Sequence, residues 1–489
     1  MPEYISTRGG APTVTASQAI INGIAPDGGL YVPNAWPTLN LDWVQLAQAD
    51  YQTIANLVFT AFLSDFTPAE IDAVIKAAYG DQWDTPTIAP LHTTGDTTIL
   101  ELFHGPTLAF KDVALQALPH LLTTAAKKAQ IKNDILILAA TSGDTGTAAM
   151  AGFGDVEHTQ IVVFYPEVGV SEIQRQQMVT EPAKNAHVIA LTGNFDDAQT
   201  AVKTLFADTE LAEQLADHNI QFSSANSINI GRLIPQISYY FYAYAQLVAN
   251  QTIKAGDEIE IVVPTGNFGN VLAAYYAQQI GLPVARFVVA SNENNVLTDF
   301  FTTGTYDRRR EFHVSSSPAM DILVSSNLER LLYFASGQNS ALIKTYMTDL
   351  ADQGFYTLAA TTKAGLTRFN AGFASNDDTA ATINNTFKQA DYLLDPHTAV
   401  GVHVAQQVGA PLGQHRLIAA TASPFKFPQT VLAALEQTPK HGFAGVEQLA
   451  QVTNRAIPSQ IATLFDQPIL HKQVISAEAI KATLQTELF

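Results

Sequence analysis

Residues 258–280 read EIEIVVPTGNFGNVLAAYYAQQI, and this stretch decides the architecture. A β-branched run leads into the loop TGNFGN, Thr265 to Asn270, and a helical run follows. Gly266 and Gly269 allow the backbone to approach a ligand closely. The helix behind them would aim its free N–H groups and positive dipole end at the same point, so a phosphate fits there. The plainer reading is a tight turn whose glycines serve geometry alone. The loop is not a Walker A loop, because no Gly-Lys-Ser/Thr follows, and the dinucleotide spacing G-x-G-x-x-G is missing. GFGDVE (152–157) begins like that fingerprint but carries Glu157 where the third glycine belongs.

The same grammar recurs outward from this unit. DILILAAT (134–141), QIVVFYP (160–166), AHVIALTG (186–193), VARFVVASN (284–292) and RLIAATAS (416–423) alternate with helical stretches. Most are continuous apolar runs, as in parallel strands covered by helices on both faces. The expected class is α/β, with parallel-rich twisted sheets under helices. Ahead of it, FTPAEIDAVIKAAY (66–79) shows Thr67 as N-cap, Pro68 at the first helical position and Glu70 completing a capping box. DTPTIAP (84–90) reads as a linker. The chain divides into a mainly helical N-terminal domain (1–90), a core of two α/β subdomains (91–430) and a C-terminal helical extension (431–489).

A second strand–loop–helix unit carries TSGDTG, Thr141 to Gly146, whose hydroxyls and N–H groups suit a carboxylate or phosphate. Asp144 works against an anion there; it would instead cap the helix or bond backbone donors. In HGPTLAFKDVALQ (104–116), Lys111 stands inside an apolar run. Burying an ammonium costs several kcal/mol. A desolvated lysine loses pKa and becomes a nucleophile or base, best known in Schiff bases with an aldehyde cofactor. Pyridoxal phosphate brings both the aldehyde and a phosphate that needs a glycine loop. The competing reading is a snorkelling lysine paired with Asp112.

Composition narrows the field. The chain has 489 residues, 47% hydrophobic and only 15% charged, so long disordered tails are not expected. A net charge of -19 repels nucleic acid and anionic lipid. An anionic small substrate must then be held by backbone N–H groups and a few placed cations. Cysteine is absent, which removes disulfides, thiolate metal sites and cysteine nucleophiles and fits a cytoplasmic protein. MPEYISTRGG has no apolar core, so no signal peptide is expected. LIPQISYYFYAYAQLVA (233–249) reads as a buried core helix, too short and polar to span a bilayer. His397 and His403 lack metal-ligand spacing, and the arginines of GTYDRRREF (304–312) read as a solvated loop or structural pairs.

STRGG near the start, APDGGLYVP (25–33), HGPTLAFKD (104–112), TSGDTG (141–146), PTGNFGN (264–270) and ATASPFKF (420–427) occur together and in order. With them the chain resembles the threonine synthase family in its longer form, a group of pyridoxal-phosphate enzymes of the tryptophan-synthase-β-like fold (fold type II). The resemblance implies that Lys111 forms the Schiff base and that Gly266, Asn267, Phe268, Gly269 and Asn270 cradle the cofactor phosphate. It implies that Thr421 faces the pyridine nitrogen. The loop of Thr141, Ser142, Gly143, Asp144 and Thr145 would face the substrate carboxylate and the cofactor's phenolic oxygen, with Asp144 on the cofactor. Many relatives carry asparagine where Asp144 stands.

The implied reaction is a lyase reaction, the last step of threonine biosynthesis. O-phospho-L-homoserine and water give L-threonine and phosphate by β,γ-elimination and replacement. The substrate phosphate needs its own site. SSANSINIGRLIPQ (223–236) offers Asn226, Asn229 and Arg232, with Arg232 suited to a bidentate contact or to an ordinary helix-start salt bridge. Lys426 is a second candidate cation. No metal, nucleic acid or membrane is expected, and the protein would act as a monomer or homodimer. A serine or threonine dehydratase, another β-replacement enzyme and a non-enzymatic scaffold are the competing readings.

Overall fold

The computed structural model describes residues 2–488 except 168, 194 and 410–412. The apolar runs read above all form strands: Asp134–Ala140, Thr159–Pro166, Ala186–Thr192, Ile259–Pro264, Val284–Ser291 and His415–Ala420. They divide between two sheets. The larger runs in the order Phe369–Phe373, Val284–Ser291, Ile259–Pro264, His415–Ala420, Thr97–Glu101, Leu91–Thr94. Every neighbouring pair in it is parallel except the last, a hairpin turned by Gly95 at φ 58°. The smaller sheet, Val474–Ser476, Ala186–Thr192, Thr159–Pro166, Asp134–Ala140, Ile220–Ser223, is parallel throughout.

Strand interiors are buried, as their continuous apolar character requires. Glu260 is a charged residue among them. It is wholly buried in the central strand of the large sheet. The register sets it directly beside Arg286 on one neighbouring strand and Arg416 on the other, and it takes an ion pair from each.

Helix Ile230–Ala249 is buried along most of its length and packs on helices Tyr51–Phe62, Gly269–Gln279 and Lys111–Leu115. It thereby fastens the N-terminal helices to the core. The start at Thr67 is as expected, with the capping box to Glu70 present and Pro68 in the first turn of helix Pro68–Ala78. No helix among the described residues is long and apolar enough to cross a membrane.

The C-terminal region departs from its all-helical reading. Beyond helices Pro428–Ala434 and Phe443–Thr453, strand Val474–Ser476 joins the edge of the small sheet beside Ala186–Thr192. Helix Ile480–Leu488 then buries Ile480 and Leu484 against that sheet's outer cluster, which includes Leu136, Val162 and Ile189. A three-residue strand has too little pattern to be legible in sequence, and its pairing partner is remote.

Glu260→Ala would leave two arginines facing a buried gap. Breaking a buried pair from one side should cost about 3 kcal/mol. A urea titration should show this as a lowered midpoint; an unchanged midpoint would mean that water already satisfies both guanidinium groups.

Candidate active site

The loop after strand Ile259–Pro264 is held from outside. Ser325 Oγ donates to the Gly266 carbonyl (2.7 Å), and the main-chain and side-chain N–H groups of Asn327 both donate to the Asn267 carbonyl (3.1 and 3.0 Å). The loop's carbonyls are therefore occupied, while the N–H groups of Gly266 to Asn270 make no hydrogen bond among the described residues. Phe268 supports this shape. It sits at φ 67°, in the left-handed region, with its ring buried and stacked on Phe301. Free amides in succession ahead of helix Gly269–Gln279 form an anion cradle.

Asn270 contributes to that cradle through its backbone only. Its amide side chain is buried, accepts from Thr265 Oγ1 (2.7 Å) and donates to the Pro264 carbonyl (2.9 Å). Gly266 is also glycine for a packing reason, since a Cβ there would lie 3.0 Å from the Ala319 carbonyl oxygen. Ser325 and Asn327 were not legible beforehand, because serine and asparagine in loops are too common to single out.

The second loop follows strand Asp134–Ala140. The buried Thr141 hydroxyl accepts from the N–H groups of Gly143 (2.9 Å) and Gly146 (2.8 Å), so it clasps the loop rather than facing a substrate. The N–H groups of Ser142, Asp144 and Thr145 make no hydrogen bond among the described residues, and Ser142 and Thr145 are partly exposed. Gly143 lies under Gln174 at φ 138°, leaving no room for a Cβ. Asp144 is not the helix cap. It opens helix Asp144–Phe153 with its carboxylate on Lys426 Nζ (2.8 Å) and Gln174 Nε2 (2.8 Å).

Lys111 opens the short helix Lys111–Leu115. The preceding Phe110 N–H donates to the Thr421 carbonyl (2.8 Å), which ties the lysine to the end of strand His415–Ala420 and places Thr421 beside it. The pairing with Asp112 does not occur. Asp112 folds back onto Thr107, accepting from its N–H (2.9 Å) and Oγ1 (2.6 Å). Nor is Lys111 fully buried; it keeps partial solvent access although surrounded by protein. Desolvation brings its pKa down to about 8; Asp144 opposes the shift, and Arg232 and Lys426 add to it.

The remaining candidates separate. Arg232 is buried and donates to the Ala225 carbonyl (2.8 Å), while its Nε has no partner; burial lowers its pKa to about 10. No helix-start salt bridge forms at Arg232 among the described residues. Asn229 is overturned as a ligand. It caps helix Ile230–Ala249 by accepting from Gly231 N–H (2.9 Å), and it donates to the carbonyls of Ile20 and Ser224. Asn226 is exposed, and its side chain makes no hydrogen bond among the described residues. Lys426 is wholly buried with its ammonium committed to Asp144 and the Thr107 carbonyl. His397 is bonded to Asp395 and the Ala319 N–H, and two of the three GTYDRRREF arginines, Arg309 and Arg310, make structural pairs with Asp307 and Asp299.

A family model described as Threonine synthase N terminus matches residues 3–79, one described as Pyridoxal-phosphate dependent enzyme matches 98–423, and one described as Threonine synthase, C-terminal matches 398–484. The chain belongs to the threonine synthase family. The threonine synthase of Pseudomonas aeruginosa is 37% identical over 95% of this chain and 93% of its own. The solved PLP-bound threonine synthase of Brucella melitensis superposes with a TM-score of 0.89 at 34% identity, covering 100% of this chain and 99% of that one. Human Threonine synthase-like 1 is 38% identical over 86% of this chain; the chain spans 58% of that relative's length. Membership of the family makes the cofactor pyridoxal 5'-phosphate, and the residues present fit it: a lysine of lowered pKa and a loop of unbonded amides.

The lowered lysine pKa has a direct consequence. Below pH 8 Lys111 is mostly an ammonium and cannot attack an aldehyde; above it, it is mostly a free amine. Stopped-flow absorbance should show the apo-protein capturing pyridoxal phosphate at a rate that rises with pH and levels off above about 8. A midpoint near the ordinary lysine value would show that burial does not act on this amine.

Proposed function

We propose that the chain converts O-phospho-L-homoserine and water to L-threonine and inorganic phosphate, with Lys111 as its catalytic amine. The observation that carries this reading is the buried guanidinium of Arg232, which has no carboxylate partner among the described residues and acts electrostatically on Lys111. In a chain of net charge -19, a buried cation without a carboxylate among the described residues, within electrostatic reach of the proposed catalytic amine, calls for an anionic ligand. The amide loop of Gly266 to Asn270 suits the cofactor phosphate, which leaves Arg232 for a second phosphate, the one on the substrate.

When bound, the cofactor supplies the electron sink that makes protons on Cα and Cβ of the amino acid acidic. The protein supplies the rest. Lys111 Nζ, largely deprotonated above pH 8, is the base for the Cα proton. The free N–H groups of Ser142, Asp144 and Thr145 hold the substrate carboxylate at the start of helix Asp144–Phe153. Arg232 stabilises the phosphate as it departs from Cγ, and water then adds at Cβ. Thr421, placed beside Lys111 by the Phe110 bond, is the hydroxyl for the pyridine nitrogen. A cytoplasmic enzyme, monomeric or dimeric, completes the reading; light scattering settles its oligomeric state.

Purified holoenzyme given O-phosphohomoserine should release phosphate and threonine in equal amounts. Phosphate with 2-oxobutanoate would move the assignment to elimination without hydration. Lys111→Ala should abolish turnover with an unchanged circular dichroism spectrum. Arg232→Gln should lower kcat/KM by about 30- to 150-fold, the worth of a charge-assisted contact of about 2–3 kcal/mol. Wild-type kcat/KM in that variant would remove Arg232 from the phosphate site.

A further inference from the structure

Asp144 poses a problem that the proposed reaction does not resolve. A carboxylate stands in the first helical turn where an anionic substrate should bind, only 4% exposed and held as an anion well below the usual carboxylate range. Burial opposes that charge; Lys426, Lys111 and His397 sustain it. An uncompensated carboxylate there would repel the substrate's own carboxylate and strip Lys111 of its reactivity by favouring its protonated form.

We infer that Lys426 is a positioning residue: its buried ammonium neutralises Asp144 and turns that carboxylate from a repulsive charge into a fixed hydrogen-bond acceptor at the substrate site. The inference rests on the proposed reading of the site.

The geometry carries it. Lys426 is 0% exposed, and its ammonium has two protein acceptors, Asp144 Oδ1 (2.8 Å) and the Thr107 carbonyl (2.7 Å). Gln174 Nε2 donates to the same Asp144 oxygen (2.8 Å). Oδ1 is thus pinned twice, while Oδ2 makes no hydrogen bond among the described residues. A pinned carboxylate with one unbonded oxygen can accept from a donor on the ligand but cannot swing into the substrate carboxylate. The partners come from different sheets. Asp144 follows strand Asp134–Ala140 of the small sheet, and Lys426 follows strand His415–Ala420 of the large one. Ser171 Oγ, also on the small-sheet side, donates to the Lys426 carbonyl (3.0 Å), so the ammonium is anchored where the two halves meet.

The charged groups facing this pair are few. Lys111 and His397 act on Asp144; Asp112, already bonded to Thr107, faces Lys426. This separates Lys426 from a direct phosphate ligand, since an ammonium with two protein acceptors in a sealed position has little left for a third.

The test uses Lys426→Met, Lys426→Arg and the double variant Lys426→Met with Asp144→Asn. Two readouts are taken: KM against kcat for O-phosphohomoserine on the holoenzyme, and the pH midpoint of pyridoxal-phosphate capture by the apo-protein. Lys426→Met should raise KM roughly tenfold or more and move the midpoint up by about one pH unit, because Lys111 then faces an unneutralised carboxylate. Removing that carboxylate in the double variant should recover most of both changes, and Lys426→Arg should stay close to wild type. A double variant as impaired as the single one would overturn the inference and point to a direct phosphate contact; so would an unchanged midpoint in Lys426→Met. Should Lys426→Met fail to fold, the comparison of Asp144→Asn with the double variant decides: a midpoint lower in Asp144→Asn than in the double variant supports the inference, because the unneutralised ammonium then acts on Lys111, and equal midpoints sink it. If wild-type protein releases no phosphate, the proposed reaction fails, while the capture midpoints still judge the ion pair.

Discussion

Parallel pairing is the constraint on which the rest of the molecule depends. In a parallel sheet every strand ends on the same side, and each chain must cross back before the next begins. The loops that leave the carboxyl ends are therefore gathered together. Four segments of the candidate site leave strands in this way: the amide loop after Pro264, Thr421 after Ala420, the clasped loop after Ala140, and the segment from Glu101 towards Lys111. None of these could be moved to another edge without breaking the register of a buried sheet. The Phe110 bond to the Thr421 carbonyl shows how close the constraint brings residues more than 300 positions apart.

Electrostatics then act on what topology has assembled. The chain is strongly acidic, yet Lys111, Arg232 and Lys426 lie within electrostatic reach of one point, with Asp144 the counter-charge. Unbonded backbone amides supply further candidate anion-binding groups, since they carry no net charge and lose no side-chain entropy when they bind an anion. Their availability is arranged by neighbours that take up the carbonyls. Ser325 and Asn327 perform that role at one loop, and at the other Thr141 Oγ1 donates to the Gly143 carbonyl (3.1 Å).

Much of this was legible in the chain. Continuous apolar runs identified the parallel strands, and the glycine loop and Lys111 pointed to the cofactor before any coordinates. What misled was polar chemistry that serves two purposes. The side chain of Asn229 caps a helix, and the hydroxyl of Thr141 clasps a turn; the same residue types in the same loops would equally well contact a substrate. Lys426 was read as a free cation because its counter-charge lies 282 positions away. Asp144 was read as a cap because local rules assign acidic residues at helix starts that role, and its partner is not local.

By itself the sequence determined the fold class and the cofactor, and it singled out Lys111 as the candidate amine, because those rest on periodicity and on the order of short motifs. It also determined the helix start at Thr67, where every interacting group lies within a few residues. Only the tertiary structure decided which polar groups are spent on the protein and which remain open to a ligand. That depends on hydrogen bonds between segments far apart in the chain. It depends equally on desolvation, which no single segment possesses until the two sheets close around Lys111.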